Sequence, residues 1–426
     1  MRKRFAGVTI TAVAALALLA AGCSSGPASS AASGGSSASS GGHVTLTYWN
    51  GFTGPDGPTV TALVNQFNKT HPNITIKMSI MPWDVFYQKL LPAFASGNAP
   101  DIAAMDTQQL PQYATKNVFL PLTSYYANAA NDTSSLVAGA VSGTKVNGTE
   151  YGVPANFAPL MLYWNKKMFA AAHIAGPPQN WAQWQSDVVK LSHGGSSPQY
   201  GIALAENNTI PMWPILLWEN GGGVTNTDAT QGMLSDAASV SAVTQWSQLI
   251  LKDGIAPQNI TGAEADSLFQ AQKAAMEMNG PWATTGYQGA GVDFGLAPIP
   301  AGPKKTITLA DVVSMSINAK DSPAQVSAAE TFFTWWNSKS TQVDYAVHTG
   351  FVPTITGVTA TDLAANPDVA QFESVAGTAQ PYNLGTQYTN IETNTWEPAI
   401  EKILQGSPVA STLDGANTQV NGYLGG

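Results

Sequence analysis

Residues 44–105 switch repeatedly between two hydrophobic periods, and this constrains the fold more than any other feature of the chain. Val44 to Trp49 alternates with period two and reads as a strand. Pro55, Asp56 and Gly57 make a turn, and Pro58 suits the first turn of a helix, where its missing N–H costs nothing. Val60, Leu63, Val64 and Phe67 then fall at i, i+3, i+4 and i+7, a single helix face that His71-Pro72 ends. Ile74, Ile76 and Met78 alternate as a second strand. A second helix is predicted from Trp83 to Ser96, kinked at Pro92 and stopped at Gly97. Ile102 to Met105 is a short buried strand. Strand, helix, strand, helix, strand describes an open parallel α/β sheet. Ligands of such sheets sit beyond the carboxyl ends of the strands, which places the Trp49–Asp56 loop and Asp106 at that edge. Further helices are legible from Trp181, Trp184, Val188 and Leu191 behind an Asn180 cap, and from Val326, Ala329, Phe332, Phe333 and Trp336.

The N-terminus has a different purpose. Arg2, Lys3 and Arg4 precede a mostly apolar stretch, Phe5 to Ala21, then Gly22 and Cys23, the only cysteine. This is the pattern of a secretory signal over residues 1–22, ending in a lipobox with Ala20 where leucine is commoner. It predicts a diacylglycerol and palmitate anchor on Cys23. Residues 24–42 are all Ser, Gly, Ala or Pro, so 23–43 is expected to be a tether with a reach of roughly 25 Å. The expected location is the extracytoplasmic face of a bacterial cell membrane.

Without Arg2, Lys3 and Arg4 the formal charge of −9 becomes −12, which argues against nucleic acid and anionic membrane surfaces as partners. No arginine follows Arg4. Arginine is the preferred fork for carboxylate and phosphate, so a neutral, hydroxyl-rich ligand fits this composition better than an anion. Twelve tryptophans supply faces on which sugar rings stack, although most tryptophans in any protein pack cores. With its one cysteine lipidated, the folded part has no disulfide and must be stabilised by packing.

Chemistry for an enzyme is thin. His43, His71, His173, His193 and His348 have no metal-ligand spacing, and there is no P-loop or dinucleotide fingerprint. No cofactor or metal is expected. The G-x-S-x-G string at Gly22–Gly26 straddles the predicted cleavage site. Abundant carboxylates leave a two-carboxylate glycosidase open by inventory.

Seven segments carry a family resemblance: LTYWNGFTGPDGP from Leu46, GNAPDIAAMD from Gly97, YGVPANFAPLMLYWNKKMF from Tyr151, AAMEMNGPW from Ala274, FGLAPIPAGP from Phe294, FFTWWNSKSTQ from Phe332 and GFVPT from Gly350. In this order and spacing the chain, from Val44 to Leu424, resembles the family 1 extracellular solute-binding proteins, the carbohydrate-binding components of ABC importers, of the maltose- and glycerol-phosphate-binding type. The resemblance implies an α/β, two-lobe (Venus flytrap) fold, each lobe a mostly parallel sheet flanked by helices. Crossings are expected near Pro154–Ala158, Ala310–Ser314 and Gly350–Pro353. Lobe one would be residues 44–154 plus 311–352, and lobe two 155–310 plus 353–426. The implied partners are membrane permease subunits with a cytoplasmic ATPase, and the implied state is a monomer without catalytic activity.

The resemblance also implies cleft positions. Trp83, Trp218, Trp282 and Phe351 are the expected stacking platforms. Asp56, Asp106, Asn156, Glu219 and Asp311 are the expected partners of sugar hydroxyls. Trp49, Phe52, Phe157 and Tyr388 complete the expected contacts, with Trp49 equally suited to a core and Asp56 to a helix cap. Trp164, Trp335, Trp336 and Trp396 read as packing. Some relatives use a cleft arginine for glycerol-phosphate esters, and this chain has none. The expected ligand is therefore a neutral di- or oligosaccharide or glycoside. A glycerophosphodiester receptor of the same fold and a secreted glycosidase are the alternatives.

Overall fold

The computed structural model describes residues 42–425. The predicted signal, Cys23 and most of the predicted tether lie outside the described residues.

Five elements follow the periodicity of the sequence: β1 (Val44–Asn50), α1 (Gly57–Thr70), β2 (Ile74–Ile80), α2 (Trp83–Ser96) and β3 (Ile102–Asp106). β1 pairs in parallel with β2, Val44 opposite Ile74, and with β3, Tyr48 opposite Ile102. The helix face of Val60, Leu63, Val64 and Phe67 is buried against this sheet's core. α2 runs on through Pro92 to Ser96, and Gly97 ends it at φ 75°, a left-handed conformation that glycine adopts without steric cost. Two distant strands complete the sheet: Val313–Ile317 lies antiparallel to β3, and Val153–Pro154 pairs beyond it.

A second sheet has Met161–Asn165 at its centre, antiparallel to both Phe294–Ala297 and Met276–Asn279. Parallel neighbours reach it only as single bridges, Tyr200 to Ala274 and Ala203 to Glu277. The molecule is thus of the two-lobe α/β class, with its regular parallel ladders concentrated around β1. Each large sheet has its own core. One gathers Leu46, Phe67, Ile102, Met315, Phe332 and Trp336. The other gathers Leu160, Trp184, Trp213, Trp246, Ile299 and Ile400. Between them three stretches run side by side: Pro154 pairs with Ser314, Ala158 with Asp311, and Phe157 bridges to Val352. Among the described residues no helix is long and apolar enough to cross a membrane.

Candidate functional site

The carboxyl ends of β1 and β3 open on a cavity of about 820 Å³, with residues from 51–113 on one side and from 208–212, 262–282 and 388–397 on the other. This lies in the upper part of the range, roughly 300–1,000 Å³, of small-molecule sites.

Its aromatic wall starts at the first turn of α2. Trp83 is half-buried, meets Phe52 edge-on at 5.7 Å and stacks on Tyr87 at 5.8 Å, one helical turn later. Gly51 makes room for that indole: a β-carbon there would stand 2.0 Å from the ring. Trp282 repeats the arrangement opposite. A β-carbon on Gly280 would stand 2.0 Å from its ring, and the indole touches both large cores. Phe351 lines the cavity but is only 2% exposed, its face stacked on Tyr345 at 5.2 Å. It backs Trp282, 6.0 Å away, and offers no free face of its own. Tyr388 closes the far wall.

The polar side is acidic. Asp56 stands at the N-terminus of α1, yet its side chain makes no capping bond there; it is buried at the cavity wall, and burial pushes its carboxyl up to about 6. Asp106 ends β3 and accepts a hydrogen bond of 2.6 Å from the Tyr87 hydroxyl. Asp311 reaches the same place from the end of the strand Thr308–Asp311, just ahead of the strand that pairs with β3, and the Thr107 N–H donates to the Val312 carbonyl at 2.9 Å. Burial, and then the neighbouring Asp106 charge, raise the Asp311 carboxyl well above the usual range. Asn156 also lines the cavity, but its side-chain oxygen accepts from the Val313 N–H at 2.9 Å and so ties two crossing stretches together.

Four expected contacts do not reach the cavity. Trp49 points to the opposite face of β1 from Tyr48 and packs, half-buried, with the Phe86–Leu90–Tyr113 cluster. Phe157 is buried beneath the crossings with Val312 and Val352. Trp218 and Glu219 lie in the helix Met212–Glu219, all eight of whose residues are buried. Trp218 packs on Tyr382, and Glu219 accepts a 2.7 Å bond from the Trp181 indole N–H. Both are core of the second sheet rather than site.

Sequence reading missed other lining residues. Tyr87 was recoverable, since it follows Trp83 by four on one helix. Gln108 and Gln112 follow β3 at the ligand edge. Asn208, Asp266, Asn279 and Glu397 converge only through the tertiary fold. Gln112 and Thr389 meet across the cavity, the threonine hydroxyl donating at 3.2 Å. Among the described residues no group of His, Cys, Asp and Glu side chains is arranged to hold a metal ion.

The family profile of the bacterial extracellular solute-binding proteins matches residues 52–343. A Brucella abortus protein is 26% identical over 312 residues, covering 71% of this chain and 74% of its own length. The galactooligosaccharide-binding protein of Bacillus subtilis is 22% identical, covering 79% of this chain and 78% of its own. Among solved structures, an ABC substrate-binding protein from Listeria monocytogenes in complex with cycloalternan superposes with a TM-score of 0.81. It is 21% identical and covers 90% of this chain and 99% of its own.

Proposed function

This chain belongs to the bacterial extracellular solute-binding proteins, and we propose that it is the substrate-binding component of an ABC importer, closing on a di- or oligosaccharide or glycoside. The observation that carries the reading is the cavity itself. The indoles of Trp83 and Trp282 both line it, together with carboxylates and amides. Flat apolar faces suit sugar rings, and carboxylates and amides suit hydroxyl pairs. The named ligands of the Bacillus subtilis and Listeria proteins, a galactooligosaccharide and cycloalternan, are of this class.

No lysine, arginine or histidine lines the cavity, which disfavours an anionic ligand. We place the lobes at residues 44–154 plus 311–352 and 155–310 plus 353–426. The three side-by-side stretches between the sheets would then be the hinge, and the ligand would select the closed state. Cys23 would carry the lipid anchor, with residues 1–22 removed, and a membrane permease with its ATPase would receive the load. The protein would bind its sugar without turning it over.

The test is thermal unfolding of the purified protein with a panel of mono-, di- and oligosaccharides and glycerophosphodiesters. A ligand at about 100 times its Kd adds roughly 2.7 kcal/mol of stability. A shift with one saccharide class and no product formed is expected. Hydrolysis of the sugar, or a shift with phosphodiesters alone, would overturn the reading.

A further inference from the structure

The cavity is lined by Asp56, Asp84, Asp106, Asp266, Asp311 and Glu397 and by no basic side chain. Burial holds Asp56, Asp106, Asp311 and Glu397 towards their neutral forms; a neutral sugar would leave them so, whereas a cation would stabilise their ionised forms. The acids are densest at Asp106 and Asp311, which lie diagonally across the bond between Thr107 and Val312, near enough that the Asp106 charge acts on Asp311. Asp106 already has the Tyr87 hydroxyl as donor. Asp311 is 7% exposed and lines the cavity; the Gln108 side chain and the Val312 N–H approach its carboxyl, but its Oδ1 is buried without a hydrogen-bond partner among the described residues. A buried carboxylate oxygen in that position asks for a donor from outside the protein. Aromatic rings stand around the pair, Tyr87 on Asp106 and Trp83 and Tyr388 along the wall, and aromatic faces attract cations.

We infer that the sugar this site takes carries a protonated amine, seated between Asp106 and Asp311. A hydroxyl brings one donor and no charge; an ammonium brings three donors and a positive charge that stabilises the ionised form of both carboxyls. The remaining carboxylates and the indoles hold the rest of the sugar. This inference rests on the receptor reading above and narrows its ligand to amino sugars and their glycosides.

The experiment is titration calorimetry at near-neutral pH with matched saccharides that differ at one substituent only. Each set holds the free amine, the N-acetyl amide and the hydroxyl form of one framework: glucosamine, N-acetylglucosamine and glucose; the galactose counterparts; and chitobiose, N,N′-diacetylchitobiose and cellobiose. At least one set is expected to show the amine bound about tenfold or more tighter than its two neutral partners. Asp311→Asn and, independently, Asp106→Asn are expected to bring that ratio towards one, with folding of each checked by thermal unfolding. Equal or weaker binding of the amines overturns the inference while leaving a sugar receptor in place. Binding of spermidine with none of the saccharides overturns both readings. A preference that survives in both variants overturns the assignment to this pair.

Discussion

A β-carbon on Gly51 or Gly280 would stand 2.0 Å from an indole ring, so at each position the missing side chain sets the place of a cavity wall. Gly51→Ala and Gly280→Ala are expected to push Trp83 and Trp282 aside at a cost of about 1–3 kcal/mol. Saccharide affinity measured by calorimetry should fall roughly tenfold in each; an unchanged affinity would show that the rings do not touch the ligand. The buried acids make a second prediction. Burial pushes Asp56 from 3.8 up to about 6, Glu397 from 4.5 up to about 7, and Glu219 from 4.5 up to about 8. Each keeps its proton in the folded protein over a pH range where the unfolded chain has lost it. Their stabilisation is full below the unfolded values and is lost as pH rises through the folded ones. The ligand-free protein should therefore melt at a lower temperature near pH 8 than near pH 5. Asp362, pushed down to about 2 beside Lys339 and Thr359, has the opposite sign but acts only at lower pH. Glu219→Gln keeps an acceptor for the Trp181 indole and should remove the upper end of the slope; a midpoint that rises from pH 5 to 8 would contradict the whole account.

Elements with one wet face were readable from their period, whereas a helix with none escaped it. The helix Trp181–Leu191 starts where Asn180 predicts, its side-chain oxygen accepting from the Gln183 N–H at 3.0 Å. The helix Pro323–Trp336 begins with a capping box between Ser322 and Gln325. Ser322→Ala should cost about 1 kcal/mol in chemical unfolding. The helix Met212–Glu219 is buried all round, so no apolar stripe marks it, and nothing in the pattern corrected the resemblance that placed its last tryptophan and glutamate in the cleft. The short helix Leu110–Ala114 matters for another reason, since Gln112 is met by Thr389 from across the cavity. Gln112→Ala removes that bond, and a loss of about fivefold in saccharide affinity is expected from a hydrogen bond of about 1 kcal/mol. No change in affinity would mean that the bridge does not favour the closed state.

At the scale of the molecule, two cores meet along three crossing stretches, and Trp282 packs on both. With the crossings as the hinge, the lobes would rotate about them while each core stays intact. Small-angle scattering should show a smaller radius of gyration with a bound saccharide than without one. An identical radius in the two states would remove the clamp from the mechanism, whatever the affinity.

The sequence by itself determined the stretch from β1 to β3, because residues on a half-exposed strand or helix must alternate with the period of their element and a short wholly apolar run between turns marks a buried strand. It also determined that the edge beyond β1 and β3 would carry the Trp49–Asp56 loop and Asp106, since that follows from strand direction, whereas Trp83 came from the family resemblance. Asn156, Trp282, Asp311, Phe351 and Tyr388 were reachable only through family resemblance. Only the tertiary structure decided that Trp49, Phe157, Trp218 and Glu219 belong to cores, and that Tyr87, Asp266, Asn279 and Glu397 face the cavity. Burial is a property of what packs on a residue, and those partners lie tens to hundreds of positions away along the chain. The charge of the site was hidden for the same reason. The aspartates were visible from the start, but that no lysine stands among them is a fact about space.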